Sequence, residues 1–223
     1  MLTVACVCTG TKYPWEYVLN LQSMVSRNLS VRHRFICLTD RKDLPTTSKI
    51  QFEDISKYSL PGWWAKLILF NSEFRAIVSE DKSSHWLYFD LDTVILGSIN
   101  RLAQVKEPFS ICQNFHWLRG NKSWCRFGSC VMTFSPGWGS FVWNNFMNDC
   151  DRLMRVHKST GDQKIVELYY PNAFILQEHV NEGYFLHYKD MSAQQNSKAK
   201  VLIFGGRTKP KNCQHEWVKK YWR

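Results

Sequence analysis

The segment richest in chemistry is Trp86-Leu87-Tyr88-Phe89-Asp90-Leu91-Asp92-Thr93-Val94, where two carboxylates one residue apart follow an apolar, strand-like run. Strand alternation sends side chains i and i+2 to the same side, so Asp90 and Asp92 are expected to reach one cation. A hard divalent ion held by carboxylates and diphosphate oxygens neutralises a highly charged leaving group. The same pair also reads as solvated acids at a strand end, and acids in this place serve phosphatase or kinase-like metal sites too.

Three further segments carry candidate chemistry. In Phe204-Gly205-Gly206-Arg207-Thr208-Lys209-Pro210, two glycines precede two cations. Glycines let backbone N–H groups approach an anion, and Arg207 and Lys209 add charge; a tight turn with solvated basic residues is the plain alternative. Gly161-Asp162-Gln163 opens an expected helix. Asp162 could be its N-cap, or Asp162 and Gln163 could orient a sugar or an acceptor hydroxyl. Phe127–Phe134 places Gly128, Ser129 and Cys130 at a strand start, for close packing or for room beside a ligand.

The elements that must position these residues follow from hydrophobic pattern. Thr3–Cys8, Arg34–Thr39 and Trp86–Phe89 read as buried strands, with a short one near Ile50–Phe52. Glu16–Asn28 has helical apolar spacing after Pro14, and Pro61-Gly62 opens a second helix carrying Trp63, Trp64, Leu67, Ile68 and Phe70. Strands alternating with helices predict an α/β fold with a mostly parallel sheet, and ligands beyond the carboxyl ends of its strands. Asp40 and Asp90 stand at such ends. Later, Phe109–Gln113, Cys130–Phe134 and Lys200–Phe204 are expected strands. Trp138–Met154 is an expected long helix, and Asp162–Leu168 and His215–Tyr221 are expected short ones.

The chain has 223 residues, 44% of them hydrophobic, without a Pro/Gly/Ser-rich linker, which fits one domain over 1–223. Eight cysteines lack the paired spacing of zinc sites, and Cys6 and Cys8 share one strand face. With no basic leader before the apolar Leu2–Cys8 run and no ~20-residue apolar stretch, reduced thiols in the cytoplasm are expected. The net charge is +10, and residues 191–223 hold eight Lys or Arg against one acid, Glu216. Such a basic segment attracts phosphates, acidic lipid or nucleic acid. Nucleic acid ranks low because no recognition motif accompanies the charge. Peripheral contact at the inner membrane surface through the basic, aromatic end remains open.

Taken in order, these segments resemble the GT-A glycosyltransferases, especially the family-eight group that includes glycogenin and bacterial galactosyltransferases. The likeness runs from Val4 to Trp222. It rests on the first strand with Tyr13 and Tyr17–Arg27, on Phe35–Asp40, on Trp64-Ala65-Lys66-Leu67, and on Tyr88–Thr93. It continues through Gly128–Phe134, Asp162-Gln163, and Gly206, Lys209 and Pro210. The resemblance implies a GT-A, Rossmann-like sheet flanked by helices and the transfer of a hexose from a nucleoside diphosphate, UDP by analogy. It further implies retention of anomeric configuration and Mn2+ (or Mg2+) on Asp90 and Asp92. Donor contacts fall on Thr9, Tyr13, Asp40, Lys66, Asp90, Gly206 and Lys209, with Tyr13 against the base. Catalytic roles fall on Asp162, Gln163 and Lys209, and the acceptor would be a carbohydrate, glycolipid or protein. The family histidine before the terminal glycine is replaced here by Ile203, Phe204 and Gly205. His187 and His215 are the candidates to take its place as third metal ligand. A non-catalytic sugar-nucleotide or glycan-binding protein on the same fold is the competing reading.

Overall fold

Apolar runs bounded by turn residues become the strands of the first half. A computed structural model describes residues 1–192 and 197–223; residues 193–196, part of the basic segment, lie outside the described residues. The strands are β1 (Leu2–Cys8), β2 (His33–Thr39), β3 (Gln51–Asp54) and β4 (Trp86–Phe89), with helix α1 (Trp15–Asn28) between the first two. A 3-10 helix (Gly62–Phe70) and α2 (Ser72–Val78) precede β4. Beyond it come β5 (Thr93–Ile95), β6 (Phe109–Gln113), α3 (Phe115–Leu118) and β7 (Phe127–Phe134). Then follow α4 (Ser140–Met147), α5 (Cys150–Val156), α6 (Asp162–Tyr169), β8 (Phe174–Ile175), α7 (Leu176–His179), β9 (Phe185–His187), β10 (Val201–Ile203) and a terminal helix (Glu216–Tyr221).

Seven strands form the central sheet in the order β3-β2-β1-β4-β7-β6-β8. The pairs β3–β2, β2–β1, β1–β4 and β6–β8 are parallel, and β7 runs antiparallel to both its neighbours. The chain leaves β1 toward β2 on one side and returns to β4 on the other. That reversal opens a crevice beyond the carboxyl ends of β1 and β4. A second sheet, β5-β10-β9, lies in one core with α1.

Both faces of the central sheet are covered around β1 and β4, so these inner strands are near-continuous apolar runs rather than alternating ones, whereas the edge strand β3 (Gln-Phe-Glu-Asp) is polar and partly exposed. Val4, Cys6 and Cys8 of β1 pack with α1, the second sheet and the terminal helix, while Ala5 packs with the 3-10 helix, α4 and α6. Trp222 is buried against Tyr17, with ring centroids 4.9 Å apart. Val218 of the terminal helix and Trp222 just beyond it therefore serve the core, while Lys219, Lys220 and Tyr221 are exposed. Among the described residues no helix is long and apolar enough to cross a membrane.

The helix expected after Pro61 is present over Gly62–Phe70, wound as a 3-10 helix with Trp64–Phe70 buried without a break. Two other expectations need correction. The long helix expected over Trp138–Met154 starts at Ser140 and is interrupted at Asn148-Asp149, giving α4 and α5. And β4 ends at Phe89, after which the Thr93 N–H bonds the Asp90 carbonyl. Asp90 and Asp92 are brought together by a turn, not by strand alternation.

Candidate active site

The β1–β4 crevice is a cleft of about 810 Å³ lined by residues from most of the chain. The loop after β1 contributes Thr9, Lys12 and Tyr13; the 3-10 helix, Trp63, Trp64 and Lys66; the end of β4, Tyr88, Asp90 and Asp92. Asn114, Ser129, Asp162, Gln163, His187, Gly206 and Lys209 line it from the second half. Nine of the ten residues expected at the donor, metal and catalytic positions thus meet in one cavity. Asp40 is the exception: it is exposed outside the lining, and its Oδ1 accepts the Gly10 N–H at 2.9 Å. Its observed role is to hold the loop that carries Thr9 and Tyr13.

A buried charge cluster forms the floor. Lys66 is the one charged side chain in an otherwise apolar 3-10 helix. Its Nζ donates to Ser129 Oγ at 2.8 Å and lies 3.2 Å from Asp90 and 3.4 Å from Asp162. Burial pulls the Lys66 pKa down, but the Asp162 and Asp90 carboxylates outweigh it and the ammonium is held above its usual range. Asp162 is 3% exposed. Burial raises its pKa despite the opposing pull of Lys66 and Ser129. The helix cap itself is Gly161, with φ +68°, so Asp162 is the first helical residue and not the N-cap. Its carboxylate is directed to Lys66. The small residues near the start of β7 serve both suggested purposes: a β-carbon on Gly128 would come 3.3 Å from the Asn114 Cα, and Ser129 lines the cleft.

Each carboxylate of the Asp90/Asp92 pair carries a phenol and an ammonium. Tyr88 donates to Asp90 at 2.5 Å, beside Lys66. Tyr13 donates to Asp92 at 2.9 Å, and Lys209 pairs with the same oxygen at 2.5 Å. Burial first, then the carboxylates, raise both phenol pKa values, so both remain donors. Lys209 arrives from 117 residues away, on the loop after β10 that turns at Gly206 with φ +69°. Nothing lies within 4 Å of where a Gly206 side chain would begin. Glycine is therefore required there by backbone conformation, not by crowding.

The histidines do not complete a metal site. His215 precedes the terminal helix and does not line the cleft. His187 does line it, on β9 directly opposite Ile203 of β10. Its Nδ1 accepts from the Lys189 N–H at 3.2 Å and from Arg119 at 2.9 Å. Arginine can only donate, so the ring proton sits on Nε2, the nitrogen that faces Gly205. His187 thus offers the cleft an N–H and not a lone pair. Burial, and next Arg119, push its pKa down to about 4, so the ring is neutral. Among the described residues no three His, Cys, Asp or Glu side chains cluster to hold a metal.

Sequence reasoning missed Tyr88 as a partner of Asp90, Ser129 as a partner of Lys66, and Asn114, whose amide donates to Gln163 Oε1 at 3.2 Å. Tyr88 was legible: it lies on β4, two residues before Asp90. Asn114 was not, because its contact spans 49 residues.

No family model matches the sequence, and no curated protein matches it either. Solved structures do match in shape. A structure of galactosyltransferase LgtC with donor and acceptor sugar analogues is similar at TM-score 0.62 and 11% identity, covering 99% of this chain and 94% of that one. An active-site mutant of LgtC gives TM-score 0.66 at 12% identity, with the same coverage. The glycosyltransferase GlyE of Streptococcus pneumoniae TIGR4 gives 0.68 at 13%, with 99% of this chain matching 60% of that chain. At these identities the likeness is one of fold, and the chain has the GT-A glycosyltransferase fold.

Proposed function

We propose that this chain transfers a hexose from a nucleoside diphosphate, UDP in the first instance, to an acceptor hydroxyl, with Mn2+ or Mg2+ held by Asp90 and Asp92. The supporting observation is the convergence of three carboxylates and two ammonium groups at the carboxyl edge of β1 and β4, in a cleft large enough for a sugar nucleotide. Two carboxylates on one wall suit a hard ion whose other ligands are phosphate oxygens and water, the usual arrangement at phosphate substrates. When bound, such an ion would supply Lewis-acid stabilisation of the departing diphosphate.

The chain's own residues account for the rest of the chemistry. Lys209 neutralises Asp92, and the Gly205-Gly206 turn allows its ammonium to turn to a donor phosphate. There it stabilises charge that grows as the sugar leaves. Lys66 stays charged at all working pH and fixes Asp90 and Asp162 together. The His187 N–H is a neutral donor for a phosphate or sugar oxygen. The Tyr13 ring offers a face for the base while its hydroxyl orients Asp92. Asp162 and Gln163 stand where the sugar and the attacking hydroxyl would meet, and retention of configuration is carried over from the family resemblance.

The test is donor hydrolysis and transfer by purified protein across a panel of nucleotide sugars, with and without Mn2+. UDP-hexose turnover stimulated by the ion, and lost in Asp92→Asn without a change in melting temperature, is expected. Unaltered turnover in that variant would remove the metal role of the pair. A second reading is favoured by the lack, among the described residues, of a third His, Cys, Asp or Glu beside the pair and by the lysines already on both carboxylates: a sugar-nucleotide-binding protein without catalysis. Tight UDP binding with no hydrolysis of any donor would select it.

A further inference from the structure

The cleft is divided by charge, and only one part has been used so far. Its ionised groups are those of the floor, the metal wall and the loop after β1. The part bordered by Trp63, His116, Trp124, Thr160 and Gln163 carries indole, imidazole, hydroxyl and amide groups. His116 is kept neutral there by burial and by the cations Arg119 and Lys189, which lower its pKa.

Two tryptophans stand out in this part because they are large, apolar and open to solvent: Trp63 is 48% exposed and Trp124 is 43% exposed. Neither indole N–H has a protein partner among the described residues. Both rings are nevertheless held in place. Trp63 lies across Gly161, where a β-carbon would come within 2.9 Å of its Nε1, so the glycine ahead of Asp162 is also what admits the indole. Trp124 stacks on His116 with centroids 4.6 Å apart and planes 14° from parallel. The His116 N–H bonds Asn114 Oδ1, and the Asn114 amide bonds Gln163. Each tryptophan is therefore tied, by contact or through two hydrogen bonds, to the Asp162-Gln163 turn. The Gln163 amide nitrogen has no protein partner among the described residues and remains a free donor.

An exposed, pre-positioned indole beside unpaired amide and hydroxyl groups matches a pyranose ring. The axial C–H face of a hexose packs on the aromatic face, while its hydroxyls bond the polar groups at the ring edge. We infer that Trp63 and Trp124 form an acceptor subsite for a neutral hexose residue at the end of a glycan, with Trp63 setting the sugar next to Asp162. A protein side-chain hydroxyl or a phosphorylated lipid would leave both ring faces unused. The inference rests on the transferase reading and narrows its acceptor to carbohydrate, whether free or carried as a lipid headgroup.

The experiment measures acceptor KM, donor hydrolysis and UDP affinity for wild type, Trp63→Ala, Trp124→Ala and the matching Phe variants. Free neutral disaccharides form one arm, and the same sugars as glycolipid headgroups in vesicles form the other. Each Ala variant should raise acceptor KM about tenfold, in keeping with the loss of one buried aromatic contact. UDP affinity and donor hydrolysis should stay as in wild type, and the Phe variants should keep most of the affinity. Equal KM effects in both arms mean that the sugar alone is read; an effect confined to vesicles would overturn the subsite. So would wild-type acceptor KM in both Ala variants. Should no donor be hydrolysed at all, the transferase reading fails separately. The subsite is then read by oligosaccharide quenching of tryptophan fluorescence in the presence of UDP: quenching lost in Trp63→Ala supports it, and no quenching in wild type overturns it.

Discussion

Lys66→Met tests whether the floor of the cleft is the buried ion cluster described above. Met has similar length and no charge, so packing in the 3-10 helix is largely kept. What is lost is the ammonium between Asp162 and Asp90. Asp90 is 28% exposed at its side chain and water can compensate it, whereas Asp162 is 5% exposed and is left as an unpaired buried carboxylate. Removing one partner of a buried pair costs about 3–5 kcal/mol, a large share of the ~5–15 kcal/mol that holds a typical domain folded. Asp162 can escape part of this penalty by taking up a proton, because burial already raises its pKa and Lys66 no longer opposes it. The sign follows directly. An acid whose folded pKa lies above its unfolded value binds the proton more tightly when folded, so stability rises as pH falls through the folded pKa. In Lys66→Met, unfolding free energy should therefore increase on acidification from pH 8 toward 5, by up to ~1.4 kcal/mol per pH unit while that one proton is taken up. Urea denaturation of wild type, Lys66→Met, Asp162→Asn and the double variant at pH 5, 6.5 and 8 measures this. The double variant should recover much of the loss, giving a coupling energy of about 2 kcal/mol or more. A loss below ~1 kcal/mol with the wild-type pH slope would show that Asp162 is neither buried nor dependent on Lys66.

Lys209→Ala should reduce sugar transfer by about 100-fold or more, as removal of a charge acting on the leaving group does, and should weaken UDP binding. Lys219→Ala and Lys220→Ala should change neither. Small, equal effects at the three positions that grow steeply at low salt would instead mark a polyanion-binding tail. His187 is held neutral with its pKa near 4 against an ordinary 6.5, so the unfolded chain gains a proton first. The folded state loses stability as pH falls from about 6.5 toward 4, and thermal melts of His187→Asn should be flatter than wild type between pH 6.5 and 5. All eight cysteines are free, six of them buried. Burial raises the Cys8 thiol to about 12 and the Cys125 thiol to about 11, so thiol reagents should react slowly with native protein and titrate eight groups after denaturation without reductant.

How far the sequence foretold these features depended on how local their causes were. β1, β2 and β4 were legible because burial on both sheet faces makes each an unbroken apolar run closed by polar residues, and β4 matched residue for residue. The second sheet was largely missed. Its three strands have three residues each, too few for a period to show, and their pairing joins residues 16 and about 108 positions apart. The break between α4 and α5 carries no Gly or Pro, so the apolar pattern reads straight across it. The site divides in the same way. Asp90 and Asp92 declare themselves beside a strand, but what each one touches is set by tertiary packing: Lys66 from the 3-10 helix, Tyr13 from the loop after β1, and Lys209 from the loop after β10. Ser129, readable as serving either close packing or room beside a ligand, accepts a hydrogen bond from the buried Lys66 ammonium on the cleft floor. His187 shows the limit most plainly. As a histidine it could be a ligand, a base or a donor, and the choice is made by two partners on Nδ1, one of them 68 residues away. Those partners fix the tautomer, the tautomer turns an N–H toward Gly205, and the side chain suited by type to hold a metal becomes one suited to hold an oxygen.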